Sequence, residues 1–190
     1  MNNVLSLLIC SLTKRESSLR ELLSCLSPQL VEGVQILVNS DNGRKAVGQK
    51  RNELLRGATG KYVTFIDDDD LVSDDYVFLI LDAIRNDCDV VGIHLLMTTN
   101  GIKNSECRTY HSLKYKSWWD EEDPDRPGRR RYFRNPNHLN PVKRDLALAT
   151  QFIEIDYGED HDYSKRLLPL LKTEVNINEP IYYYQVKGVE

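Results

Sequence analysis

The chain has 190 residues, of which 41% are hydrophobic and 28% are charged, and its net charge is −4. This length is typical of one domain that buries a core without disulfide bonds. The acidic balance argues against a nucleic-acid partner, because phosphate contacts need clustered lysine and arginine. No apolar run approaches the roughly 18 residues of a membrane span, so we expect no transmembrane segment and only peripheral contact with any membrane.

The cysteines predict a reducing compartment. Cys10, Cys25, Cys88 and Cys107 contain no C-x-x-C pair, so no zinc site is expected. Cys10 and Cys25 lie among apolar residues, as buried and reduced thiols do. The apolar start of the chain also has no basic segment of the kind that begins a secretory signal. Together these features predict a cytoplasmic protein.

The first half of the chain alternates strand-like and helix-like segments. Apolar runs predict strands at residues 4–10, 34–38, 62–66 and 89–97. Helical spacing of apolar residues predicts helices between them, the first capped by Thr13 and Glu16 in a T-x-x-E box. Repeated β-α-β-α order predicts a parallel sheet with helices on both faces. The loops that follow the first three strands should then share one edge of the sheet, where ligands bind.

The second half has a less regular pattern. Residues 99–101 are typical of a hairpin turn, and the charged, proline-containing segment 120–131 is predicted to be a mobile loop. A helix is expected to open at residues 158–160, and residues 177–186 are expected to form a final strand. We therefore predict a single domain over 1–190, with a regular half at 1–97 and an irregular half at 98–190.

Four consecutive aspartates, Asp67 to Asp70, follow the third predicted strand. Adjacent carboxylates repel one another, and a divalent cation such as Mg²⁺ or Mn²⁺ would relieve that repulsion. Alternate residues of an extended chain point the same way, so Asp67 and Asp69 can face one site. Asp68 and Asp70 would then turn elsewhere or cap the next helix. The alternative is a solvated acidic loop.

Three segments of the chain carry short motifs. They are FIDDDDLVSDDY at residues 65–76, a predicted helix followed by A-x-G-x-Y at residues 48–62, and GED at residues 158–160. In this order they resemble the D-x-D segment, the lead-in before it and the downstream E-D motif of the family 2 glycosyltransferases with the GT-A fold. The resemblance implies an α/β, Rossmann-like, mostly parallel sheet flanked by helices. It implies a nucleotide-sugar-binding half at 1–97 and a smaller, irregular acceptor-side half at 98–190, which carries the catalytic base.

The resemblance also implies roles for individual residues. Asp160 would be the catalytic base, with Glu159 beside it, and Asp69 and Asp67 would ligate the metal. His138 is a candidate contact for the metal or the diphosphate and His161 is its rival, while an ordinary hydrogen-bonded histidine is the alternative for both. The residues expected to contact the nucleotide sugar are Thr13, Arg15, Asp41, Arg51, Asp67 and Asp68.

The implied activity is a metal-dependent, inverting transfer of a sugar from a nucleotide sugar to an acceptor hydroxyl. The expected cofactor is Mn²⁺ or Mg²⁺, the expected donor a UDP-sugar, and the acceptor a glycan, a lipid-linked molecule or a protein. Because the sequence has no Q-x-x-R-W motif, we expect single, non-processive transfers. Three alternatives stay open: a nucleotidyltransferase of similar fold, a metal-dependent nuclease, and an inactive nucleotide- or carbohydrate-binding module. The glycine-free loop at 11–15 argues against the first, and the acidic balance argues against the second.

The second half contains two further candidate binding features. One of Trp118 and Trp119 can stack on a sugar while the other joins the core, because neighbours on a strand face opposite ways. Arg126 and residues 129–131 form a basic patch. The patch is either a solvated loop or a site for an anionic lipid carrier or an acceptor phosphate.

Overall fold

The computed structural model describes residues 3–99 and 102–186. The strands are β1 (Leu5–Leu12), β2 (Val34–Asp41), β3 (Tyr62–Phe65), β4 (Leu71–Val72), β5 (Val90–Thr99), β6 (Ile102–His111), β7 (Trp119–Glu122), β8 (Arg130–Arg134), β9 (Val142–Lys143) and β10 (Glu174–Val186). The helices are α1 (Glu16–Leu26), α2 (Val47–Gly57), α3 (Tyr76–Ile84), α4 (Arg144–Thr150) and α5 (Glu159–Leu167). Short 3₁₀ turns precede α1, follow α1 and follow α5. None of the helices in these two ranges is long and apolar enough to cross a membrane.

One mixed sheet runs through both halves of the described chain, in the order β2-β1-β3-β9-β5-β6-β8-β7, with β10 paired to β5 and β4. The long pairings of β1 with β2 and of β5 with β10 are parallel. The short strand β9 is antiparallel to both β3 and β5, so β5 and β10 run in the same direction as the first three strands, whereas β6 and β8 run in the opposite direction. The predicted α/β sheet is thus confirmed, with an antiparallel strand inserted at its centre.

The core has two layers because β1 is buried on both faces. Leu5, Leu7 and Ile9 face the layer that α1 and α3 cover. Leu8 faces the other layer, which α2, α4 and α5 cover together with Phe65 of β3. Strands buried on both faces have continuous apolar sequences, which is why residues 4–10 predicted a strand.

One local prediction, at the start of the first helix, is wrong. The T-x-x-E box does not form: Thr13 lies in a 3₁₀ turn, and α1 begins at Glu16 without a side-chain cap. The chain makes that turn while Arg15 reaches the aspartate run, where it pairs with Asp68 at 2.9 Å.

The hairpin of β5 and β6 is confirmed by their antiparallel pairing, while residues 100 and 101 of its predicted turn lie outside the described residues.

The segment 120–131 is not simply a mobile loop. It contains β7 and the start of β8, which pair antiparallel. Arg130 forms an ion pair with Asp120, and Arg131 forms one with Glu121, so opposite charges face each other across the two strands. The acidic and basic halves of the segment therefore hold a hairpin together.

Candidate active site

The loops after β1, β2 and β3 meet a cleft with two adjoining pockets, of about 500 and 410 Å³. Both volumes fall in the ordinary range of ligand pockets, roughly 300–1,000 Å³. We call the first the aspartate pocket, because Asp67, Asp68 and Asp69 line it with Arg15 and Lys50. We call the second the histidine pocket. It is lined by His111, His138, Thr109, Arg134 and Asp160, among others. The residues that line both pockets are Arg51, Asp67, Asp156, Tyr157, Glu159 and Tyr184.

Two members of the aspartate run are tied into the protein. Asp68 accepts hydrogen bonds from the Ser11 hydroxyl at 2.7 Å and from Arg15 at 2.9 Å. Asp70 is buried and accepts hydrogen bonds from the Tyr182 hydroxyl at 2.7 Å and from the backbone N–H of Gln185 at 2.8 Å. Burial, followed by the charge of Asp67, raises the pKa of Asp70 to about 8. The run is therefore anchored to β1 on one side and to β10 on the other.

The other two aspartates face the cleft. The Asp67 side chain is 31% exposed and meets Arg51 at 3.2 Å and His138 at 3.4 Å. Although burial would raise the pKa of Asp67, the charges of His138 and Arg51 outweigh that effect and lower it well below its usual value. The Asp69 side chain is 25% exposed and lies 3.2 Å from Arg15. These two carboxylates are the ones that a bound cation can reach.

Arg51 stands at the junction of the two pockets. It is buried on α2, contacts Glu159 at 3.5 Å, and packs against the rings of Phe65 and Phe152. Its Nε and Nη1 atoms are buried, and neither has a hydrogen-bond partner among the described residues. A buried donor without a partner costs about 1–3 kcal/mol, and more when it is charged. The guanidinium is thus suited to an anionic ligand in the cleft.

The segment 151–158 crosses the start of α2 and brings the acidic pair into the cleft. Asn52 of α2 exchanges two hydrogen bonds, each of 2.8 Å, with the backbone of Phe152. Gly48 lies under the same segment, where a Cβ atom would come within 1.9 Å of the carbonyl oxygen of Ile153. Gly158 ends the segment with a φ of +85°, in the left-handed region that glycine adopts without strain.

Glu159 and Asp160 begin α5, as predicted, but they face different surroundings. Glu159 is buried against Arg51, and its burial raises its pKa. Asp160 lines the histidine pocket, and its Oδ1 accepts the backbone N–H of His161 at 2.8 Å. A carboxylate in the first turn of a helix interacts favourably with the helix dipole.

The histidine pocket contains several polar atoms without partners. His111 is buried, and its Nδ1 lies 3.2 Å from Oδ1 of Asn140. Burial lowers the pKa of His111 to about 3, so its ring is neutral at pH 7. Nε2 of His111, Nδ1 of His138 and Oγ1 of Thr109 are buried without a hydrogen-bond partner in the described parts of the chain. Such atoms suit a ligand that carries hydroxyl groups.

The donor set of the aspartate pocket fits a hard divalent cation. Asp67 and Asp69 supply two carboxylates, and Mg²⁺ commonly takes one or two, with phosphate oxygens and water completing its shell. Within residues 3–99 and 102–186, no group of three or more His, Cys, Asp or Glu side chains is arranged to hold a metal. His138 lines the other pocket and points its Nε2 at Asp67, so its geometry suits orienting that carboxylate.

Two of the predicted contacts do not reach the cleft wall. Asp41 accepts the backbone N–H groups of residues 43–45 and the Nζ of Lys50 at 3.0 Å, and the hydrogen bond from Lys50 is the main cause that lowers the pKa of Asp41 to about 2. Asp41 therefore holds the turn after β2. Neither Asp41 nor Thr13 is among the described residues that line the two pockets.

Sequence reasoning missed many residues of the cleft wall, and four of them illustrate why. Lys50 neighbours the predicted Arg51, so the lead-in motif could have indicated it. Tyr184 follows Tyr182 by two positions on β10, so alternation places both on one face, but it does not predict that Tyr182 is buried while Tyr184 is 41% exposed. Tyr157 and Arg134 carry no local signal, because only the fold brings them to the cleft. Neither Trp118 nor Trp119 is among the described lining residues.

A family model described as glycosyl transferase family 2 matches residues 15–146. This match covers more than half of the chain and includes the aspartate run with the strands on either side of it. The chain belongs to glycosyl transferase family 2. No curated protein sequence matches it.

Solved structures share the fold. TarS residues 1–349 from S. aureus, in complex with UDP-GlcNAc, superimposes with a TM-score of 0.67 at 15% identity, over 98% of this chain and 60% of that one. The mannosyltransferase PcManGT from Pyrobaculum calidifontis, in complex with GDP-Man and Mn²⁺, has a TM-score of 0.62 at 12% identity, over 96% and 57% of the two chains. This chain therefore spans less than two-thirds of either relative. At such identities the likeness is one of fold, and it confirms the expected GT-A architecture.

Proposed function

We propose that this protein is a metal-dependent, inverting glycosyltransferase that moves one sugar from a nucleotide-sugar donor to an acceptor hydroxyl. One observation carries the proposal. Asp67 and Asp69 face the aspartate pocket, Asp160 faces the histidine pocket, and the two pockets share a wall that contains Arg51 and Glu159. Donor and acceptor can then meet at that wall, in line for a direct displacement.

The aspartate pocket is the donor site in this proposal. Arg15, Lys50 and Arg51 line it with positive charge, which suits a diphosphate. A Mn²⁺ or Mg²⁺ ion held by Asp67 and Asp69 would supply further positive charge to the departing diphosphate. Complexes of the relatives with UDP-GlcNAc and with GDP-Man and Mn²⁺ support a nucleotide-sugar donor, for which we expect UDP.

The histidine pocket is the acceptor site. Asp160 lines it and is the proposed base that takes the proton from the acceptor hydroxyl. Glu159 stays against Arg51 and holds that cation in the shared wall. A base on one side of the wall and a leaving group on the other would give inversion in one step.

We also propose that the protein works in a reducing compartment such as the cytoplasm. All four cysteines are free thiols. Cys10 lines the aspartate pocket, and burial raises the pKa of its thiol to about 12, which keeps it protonated.

The proposal is tested by thermal unfolding with UDP-, GDP-, CMP- and dTDP-sugars, each with Mn²⁺ and with EDTA. A ligand that binds only the folded state stabilises it by mass action and so raises Tm. At a ligand concentration of one hundred times Kd, the free energy of unfolding rises by about 2.7 kcal/mol. We expect one nucleotide class, UDP first, to raise Tm in Mn²⁺ and much less in EDTA. Mn²⁺ without nucleotide is the control. If no nucleotide sugar raises Tm under either condition, the donor assignment is wrong.

A further inference from the structure

Arg134 enters the histidine pocket from the end of β8, where the charge of Asp160 acts on it but no carboxylate of the described residues lies at ion-pair distance. Its guanidinium stacks on Trp118, with 4.5 Å between its carbon and the ring centre. Stacking uses the face of a guanidinium and leaves its N–H donors in the plane available. No side-chain hydrogen bond or ion pair joins Arg134 to any residue in the described ranges. Because burial lowers the pKa of Arg134, its cation is incompletely solvated.

The other two arginines of β8 are neutralised. Arg130 and Arg131 pair with carboxylates of β7, whereas Arg134 lies one position beyond Phe133, the last residue of β8 that pairs with β7. Asp160 lines the same pocket but forms no ion pair with Arg134 among the described contacts. The basic patch predicted at 126–131 is therefore neutralised in part by the acidic residues of β7. Arg134, the cation of β8 that lines the histidine pocket, lies outside that patch.

Neutral hydrogen-bonding groups stand in the same pocket. Thr109 Oγ1 and His111 Nε2 are buried without partners in the described chain. His111 is neutral at pH 7, because burial lowers its pKa. The β6–β8 side of the pocket thus combines the Arg134 cation with uncharged groups that can donate to or accept from hydroxyls. The carboxylates of the pocket, Asp67, Asp156, Glu159 and Asp160, come with Arg51 from other elements.

We propose that the histidine pocket takes an anionic acceptor, a small polyhydroxylated molecule or chain unit that carries a phosphate or a carboxylate. Arg134 binds the anionic group, and Thr109 and His111 bind hydroxyls beside it. The pocket volume of about 410 Å³ suits a unit of monosaccharide size. The anion site itself does not depend on the proposed function. Its role as the acceptor site rests on the protein being a transferase.

The test measures binding of glucose 6-phosphate, glucuronate and glucose to the whole protein by calorimetry, without nucleotide. We expect the anionic sugars to bind on the order of tenfold tighter than glucose, which is the effect of one charge-assisted contact. The phosphate and carboxylate arms show which anion the site prefers. Equal binding of glucose and both anionic sugars would overturn the proposal.

Variants assign the preference to one residue. Arg134→Gln should abolish it, while Arg134→Lys should keep part of it. Arg130→Gln, the same change on the outer part of the same strand, should keep all of it. Unfolding curves verify that each variant is folded. If Arg134→Gln does not fold, a reduced preference for the anionic sugars in Arg134→Lys is the test. A preference that survives intact in Arg134→Gln would also overturn the proposal.

Competition separates this inference from the proposed function. UDP with Mn²⁺ should not displace glucose 6-phosphate, because the two occupy different pockets. Displacement would show that the anion binds in the aspartate pocket, beside Arg51. It would contradict this inference and leave the transferase proposal unaffected. Conversely, an Arg134-dependent preference without binding of any nucleotide sugar would sustain the anionic site and refute the donor assignment.

Discussion

The carboxylates at 67–70 differ because each meets a different neighbour. Asp68 accepts hydrogen bonds from Ser11 and Arg15, and Asp70 accepts them from Tyr182 and Gln185. These bonds fix the run at the end of β3. The other two aspartates remain at the cleft surface. Across the cleft, Asp160 stands at the first turn of α5. At the residue scale, therefore, the proposed metal and base roles fall on different side chains, which mutation can separate.

Asp69→Asn and Asp160→Asn should fail in different ways. Asp69→Asn removes a proposed metal ligand, so nucleotide-sugar affinity in Mn²⁺ should fall about tenfold or more. Asp160→Asn should leave that affinity unchanged and lower the transfer rate by roughly 10²–10⁴, the usual contribution of a general base. Calorimetry and a transfer assay measure the two quantities.

The matched control is Asp162→Asn. Asp162 lies on the same helix but pairs with Arg166, away from the cleft. It should keep both affinity and rate. Wild-type donor affinity in Asp69→Asn would remove the metal assignment, and wild-type turnover in Asp160→Asn would remove the base assignment.

At the scale of elements, the site depends on how the segment 151–158 rests on α2. Asn52 fixes Phe152, and Val47 donates its backbone N–H to Asp156 at 3.1 Å. Because α5 follows this segment directly, the position of Asp160 depends on its contact with α2. The close approach at Gly48 is what allows that contact.

Gly48→Ala should therefore destabilise the protein, although alanine favours helices by about 1 kcal/mol over glycine. The new Cβ would meet a backbone oxygen at 1.9 Å, which a side-chain movement cannot relieve. We expect a net loss of about 1–3 kcal/mol in urea unfolding, the usual cost of overpacking, together with faster proteolysis of the segment.

Gly57→Ala, in the same helix, is the control. Its Cβ would make only an ordinary contact, 3.5 Å from Leu37. This variant should be neutral or slightly stabilised. If Gly48→Ala were as stable as Gly57→Ala, the segment would not rest on α2 as described.

At the scale of the molecule, stability should depend on pH through His111, at the end of β6. The folded protein keeps this ring neutral down to a pKa of about 3, while the unfolded chain protonates it near its usual value. Below pH 6.5 the unfolded state thus binds the extra proton, and the free energy of unfolding falls as pH drops towards 3.

His111→Gln should remove this part of the pH dependence. Between pH 6.5 and 5, wild type should lose about 2 kcal/mol more of its unfolding free energy than the variant, since one proton corresponds to about 1.4 kcal/mol per pH unit. Urea unfolding at several pH values measures the difference. Parallel curves for the two proteins would show that His111 does not remain neutral in the folded state.

Much of the first half was predictable because its signals are local. A strand buried on both faces must be apolar throughout, and the helices between such strands must present an apolar face, so residues 4–97 revealed their elements in order. The aspartate run and the acidic pair at 159–160 were visible for the same reason, as short motifs. The hairpin at 119–134 escaped prediction because its charge pairs depend on strand register.

By itself, the sequence determined the α/β class, the family motifs and the candidate acids. Only the tertiary structure decided which side chains meet: Asp68 finds Ser11 across 57 positions, and Asn52 finds Phe152 across 100. It also assigned Asp41 to a turn and carried Arg134 and Tyr184 to the cleft. Burial and partnership arise from contacts between distant segments, and a local pattern of residues does not record them.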